Sequence, residues 1–135
     1  MVQILYSHYT DNREFVNRRI NTDSYDKACE IIDQYPWARE VALFEELGSA
    51  GGFEFLLGDR KGPHAIYMLT PIEAERRGSL HLDVVAKTGM FNLLGRRSMS
   101  RDFHIVTADT AKEHLRELFE HSVEFIHEKH RPFKR

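Results

Sequence analysis

The chain has 135 residues, of which 41% are apolar and 30% charged, with 19 Lys and Arg against 21 Asp and Glu for a formal charge of −2. That balance predicts one globular domain over residues 1–135 and excludes a disordered, collagen-like or low-complexity chain. It gives no general drive toward nucleic acid or an anionic membrane, and a lone cysteine, Cys29, excludes an intramolecular disulfide.

Val2 to Tyr6 is short, apolar and β-capable, and reads as a first strand. It has neither the charged start nor the long apolar stretch of a signal peptide, which points to the cytoplasm. No uncharged apolar run approaches the roughly 18–20 residues that span a bilayer. Ser7 to Asn21 is polar and reads as loop or weak helix. Thr22 or Asp23 then caps a helix whose stripe is Tyr25, Ala28, Cys29, Ile32 and Tyr35, and Pro36 stops it. Cys29 fits a small buried hydrophobe on that stripe better than a reactive thiol, with Asp26, Glu30 and Asp33 nearby.

A run of strands is expected next. Glu40 to Leu47 carries Val41, Ala42, Leu43 and Phe44, and Gly48 to Gly52 is a turn signal. Phe53, Phe55 and Leu57 alternate with Glu54 and Leu56; Asp59 to Gly62 turns the chain into a partner strand over Pro63 to Thr70, with Ala65, Tyr67 and Leu69 on one face. Pro71 to Gly78 is a charged connection. Ser79 to Lys87 places Leu80, Leu82, Val84 and Ala86 inward and His81 and Asp83 outward. Gly89 to Arg101 has loop chemistry, and Asp102 to Thr107 is a last strand with Phe103 and Ile105 inward. A final helix is capped by Asp109 and lines up Ala111, Leu115, Leu118, Phe119, Ser122 and Ile126 on one face, ahead of a basic tail from Lys129 to Arg135. The expected fold is α+β: an antiparallel sheet of about five to six strands, with one helix near the N-terminus and one at the C-terminus on the same face.

No phosphate loop, dinucleotide fingerprint, nucleophile elbow or zinc motif is present, so binding is favoured over catalysis and no cofactor is expected. One metal or acid–base alternative is a mirrored pair. His81 and Asp83 share a strand face, as do Asp102 and His104, and in-register pairing would bring two imidazoles and two carboxylates together. A polar sheet face with cross-strand ion pairs is the plainer reading. His127 and His130, with Glu124, have a spacing that could hold a metal, although solvated helix histidines explain them as well. Glu113, Glu117, Glu120 and Glu124, spaced 4, 3 and 4, form a narrow acidic stripe suited to a basic partner. Gly95 to Arg101 could grip phosphate, while Gly52 to Leu56 only echoes an RNA-recognition strand and its Glu54 opposes phosphate, so nucleic acid is not the expected partner. Ile66, Met68 and Val85 leave the outer sheet face partly apolar, suited to a small apolar ligand or a homodimer.

The order of helix, antiparallel meander and capped C-terminal helix, with Val106-Thr-Ala-Asp-Thr-Ala111 and Leu118-Phe119 in its ending, resembles the small immunity proteins of bacterial polymorphic-toxin systems. The resemblance implies non-catalytic binding and inhibition of a cognate toxin protein. It transfers no individual residue, because such proteins differ in their interfaces.

Overall fold

A computed structural model describes residues 1–48, 51–86 and 97–131. The elements are β1 (Val2–Tyr9), β2 (Phe15–Thr22), α1 (Tyr25–Gln34), α2 (Trp37–Leu47), β3 (Gly52–Gly58), β4 (His64–Glu73), β5 (Arg77–Ala86), β6 (Arg97–Thr107), α3 (Ala108–Leu115), α4 (Glu117–Glu120) and α5 (Val123–His130). The six strands form one open antiparallel sheet in the order β2-β1-β3-β4-β5-β6. The α+β class and the antiparallel sheet therefore hold, with five helical segments among the described residues in place of two helices.

Period-two alternation sends one set of side chains from each central strand into the core. These are Val2 and Ile4 of β1, Phe53 and Phe55 of β3, Ala65, Tyr67 and Leu69 of β4, and Leu80, Leu82 and Val84 of β5. They meet Ala28 and Ile32 of α1, Trp37 of α2, Ala111 and Leu115 of α3, Leu118 of α4 and Ile126 of α5. Leu80 and Leu82 are fully buried, and trimming either to alanine removes about 2–5 kcal/mol by lost transfer energy and cavity formation.

Expectations are corrected at five points. Of the stretch from Ser7 to Asn21, read as loop or weak helix, residues 7–9 extend β1 and residues 15–21 form, with Thr22, edge strand β2; its register with β1 runs from Tyr9 opposite Phe15 to Val2 opposite Thr22. Its polarity is that of an exposed edge, where Asn17, Arg18 and Arg19 face solvent and discourage strand-to-strand aggregation. Residues 40–47, read as a strand, lie in α2. Helix α2 as a whole holds three Glu, two Leu and two Ala, which favour helix, and only its Trp37, Glu40 and Val41 are buried, on one side. Gly48 ends α2 at φ 79, a left-handed cap whose N–H donates to the Phe44 carbonyl at 2.8 Å.

The third correction concerns β6, which begins at Arg97, well before Asp102. A bulge opposite Leu80 and His81 pairs Leu80 with His104 and His81 with Asp102, leaving Phe103 as the extra residue, and His104 takes a left-handed φ of 61. Phe103 still packs on the core, but Ile105 moves to the outer face opposite Ser79 and is 45% exposed. Fourth, the long C-terminal helix is broken twice. Thr107 caps α3 by accepting the Thr110 N–H at 3.1 Å, and Asp109 sits in the first turn instead. His121 is extended, and Ser122, expected on the apolar face, caps α5 by accepting the Phe125 N–H at 3.1 Å. The N-terminal cap also moves by one or two residues: Ser24 accepts the Lys27 N–H at 3.1 Å. The expected features between residues 87 and 96, at 49–50 and after 131 lie outside the described residues.

Candidate functional site

Antiparallel register brings the mirrored residues to neighbouring positions on the outer face, with His81 opposite Asp102 and Asp83 opposite Ser100. They form two separate pairs. His81 Nε2 lies 3.0 Å from Asp83 Oδ1, which also accepts from the Ser100 hydroxyl. His104 Nδ1 is 3.7 Å from Asp102 Oδ2, and Asp102 accepts the His104 N–H at 2.8 Å. The bulge swings the His104 ring away, leaving it 84% exposed. Among the described residues no group of three or more His, Cys, Asp or Glu converges as a metal site, so His81, Asp83, Asp102 and His104 are not brought together as one.

The acidic stripe is split by the helix breaks. Glu113, Glu120 and Glu124 are exposed, whereas Glu117 is only 5% exposed and belongs to the interior. Its Oε2 accepts from the Tyr67 hydroxyl and from His130 Nε2 at 2.8 Å, and its Oε1 accepts from Lys129 Nζ at 3.0 Å. Burial alone would raise its pKa, but the bonds from His130, Tyr67 and Lys129 outweigh that cost and hold it at about 2, well below an ordinary glutamate. Burial, followed by the Glu117 bond, pushes the Tyr67 phenol far above its usual range. Arg101 Nη1 lies 2.9 Å from His130 Nδ1. A guanidinium nitrogen can only donate, so Nδ1 faces a donor while Nε2 is directed at Glu117. Arg101 also lies over Phe103, 4.5 Å from the ring centre, and the Phe103 ring meets His114 at 4.3 Å. Burial, more than any neighbouring charge, lowers the His114 pKa. His130 thus works with Glu117 and Arg101, and among the described residues it forms no metal-holding group with His127 and Glu124.

The Arg101–His130–Glu117–Tyr67 chain joins β4 and β6 to α4 and α5. Its acceptors are engaged from every side, which suits anchoring better than proton transfer. In the sequence Tyr67 stands on an apolar strand face, Arg101 in a run that could grip phosphate and Glu117 in an acidic stripe, so nothing there joins the three. One signal was available: a Tyr among inward aliphatic positions needs a partner for its hydroxyl.

Outside this network, α4 and α5 carry a second feature. Phe125 is 49% exposed and stacks on His121, with ring centres 4.0 Å apart and 22° between planes. The exposed carboxylates Glu120, Glu124 and Glu128 lie on the same two segments; Arg116 pairs with Glu120 at 3.4 Å and Arg131 with Glu128 at 2.9 Å. The outer sheet face holds Leu56 opposite Ile66, both buried yet apart from the core cluster, and half-buried Met68 opposite His81. Beside Met68 is a shallow depression of about 540 Å³ lined also by Leu5, Asn17, Arg19 and Glu54. Cys29 is a half-buried free thiol. No helix among the described residues is long and apolar enough to cross a membrane.

Compared with known protein families, characterised proteins and solved structures, the chain matches none of them.

Proposed function

We propose that this chain is a small non-catalytic binding protein that takes a basic protein partner on α4 and α5, as an immunity-type inhibitor takes a toxin. The observation that carries the reading is the exposed Phe125–His121 stack on the segments that also bear the exposed carboxylates Glu120, Glu124 and Glu128, of which Glu120 and Glu128 are each paired with an arginine. A half-exposed aromatic is an anchor that gains its energy when a partner covers it, and charges around such an anchor steer the encounter more than they add affinity. Glu113, exposed on α3, is a further carboxylate open to a partner, whereas Glu117 is buried and is not part of the surface. Partner capture is the matching experiment, with wild type, Phe125→Ala and Glu120→Lys/Glu124→Lys as paired baits. Wild type retains one stoichiometric basic partner, whose association slows as salt rises. Phe125→Ala loses at least tenfold in affinity, as a hot-spot aromatic does. Equal retention by all three baits, or an acidic partner, overturns the assignment.

A further inference from the structure

A cleft of about 290 Å³ opens between α1 and the β1–β2 ribbon, far from α4 and α5 in the chain. Two periodicities build it. Tyr6 and His8, two apart on β1, present their rings to the helix side, with centroids 6.2 Å apart and 23° between planes. Lys27, Ile31 and Gln34, at i, i+4 and i+7, line the facing side of α1. Tyr35 closes one end, edge-on to His8 at 86°, and its hydroxyl is held by donating to the Ser7 carbonyl at 2.6 Å.

The polar groups around the cleft do not offer acid–base chemistry. Arg18 Nε donates to His8 Nε2 at 3.4 Å, and His8 Nδ1 lies 3.1 Å from the Tyr9 carbonyl, which can only accept. Both ring nitrogens of His8 are engaged, so it offers a flat face instead of a base. Cations dominate the rim. Lys27 is shared with Glu30 at 3.6 Å, and Arg39 with Asp11 at 3.1 Å and with buried Glu40 at 3.4 Å. Arg18 does not line the cleft itself but stands next to it through its bond to His8, and among the described residues no ion pair joins it to a carboxylate, so its positive charge is free to reach toward the aromatic walls.

We infer that this cleft is a binding site for a small, flat aromatic anion, an aryl carboxylate in chemical class, whose ring lies against Tyr6 and His8 while its charge meets Arg18 and Lys27. The volume sits at the small end of ligand sites, which run roughly 300–1,000 Å³, and so fits one substituted ring. The site is independent of the proposed protein interface.

The test is a titration of isotope-labelled protein with sodium benzoate, followed by amide chemical shifts, with benzyl alcohol as the uncharged comparison. Benzoate produces saturable shifts confined to the neighbourhood of Tyr6, His8, Ile20 and Ile31. Benzyl alcohol binds at least about fivefold more weakly, and Lys27→Met and Arg18→Gln each weaken benzoate by about fivefold, the upper range for one exposed ion pair. Gln34→Trp, at an exposed helix position, fills the mouth and removes the shifts without disturbing the fold. Absence of saturable shifts, equal binding of benzyl alcohol, or unchanged binding by Gln34→Trp overturns the inference.

Discussion

Tyr67 and Glu117 show how much one buried polar pair can demand of its surroundings. An exposed ion pair such as Arg116–Glu120 contributes about 0–1 kcal/mol. A carboxylate buried like Glu117 would cost several kcal/mol without partners, so Tyr67, Lys129 and His130 each take part in keeping it charged. Tyr67→Phe keeps the ring and removes one donor, and should destabilise the protein by about 1–3 kcal/mol in urea unfolding. Made in a Glu117→Gln background, the same change should cost much less, because the two residues act through one bond. Equal losses in both backgrounds would show that the ring's packing carries the effect. At this scale the sequence was a poor guide. Glu117 sits at regular helical spacing from Glu113 and Glu120, and nothing in that spacing says that the helix turns it inward.

Among the elements, the breaks in the C-terminal helix decide the most. A continuous helix would point Lys129 and His130 along one axis, away from Glu117. The extended His121 and the Ser122 cap restart the helix and bring both side chains within 3.0 Å of Glu117. Ser122→Ala removes the acceptor for the Phe125 N–H and should cost about 1 kcal/mol, seen as a lower urea midpoint with an unchanged slope. No glycine or proline marks this break, so a periodicity scan passes straight through it. Element α2 misleads in the opposite direction: its Val-Ala-Leu-Phe core looks strand-like, yet only one narrow side meets the molecule. The strands of the meander were legible, because Phe53/Phe55, Ala65/Tyr67/Leu69 and Leu80/Leu82/Val84 alternate cleanly where one face is buried. Alternation failed at β6, where the bulge at Phe103 and His104 adds a residue and reverses the face of Ile105. Further ties between elements, such as Asp33 accepting from Lys112 at 2.8 Å and from Arg76, join α1 to α3 and to the β4–β5 turn. The Lys112 bond is the largest cause of Asp33's lowered pKa.

For the whole molecule, the Glu117 network predicts an acid response. Its pKa falls from 4.5 in the unfolded chain to about 2 in the fold, so the fold binds fewer protons between those values. That contribution is fully present above about pH 4.5 and is lost as pH drops toward 2, amounting to about 3 kcal/mol. Urea unfolding at a series of pH values should show wild type losing stability steeply through this window, with Glu117→Gln showing a shallower slope. Parallel profiles would remove Glu117 as the titrating group.

The class of the fold, its central strands and the stop at Pro36 follow from the sequence by itself, since apolar period and turn chemistry are local properties that burial on one face amplifies. The edge strand β2, the broken C-terminal helix, the separation of His81 and Asp83 from His104, and the joining of Tyr67, Arg101, Glu117 and His130 were decided only by the tertiary structure. Those outcomes depend on register, on one bulge and on which buried acceptor finds a donor across the sheet, and such contacts between distant residues leave no period in the chain.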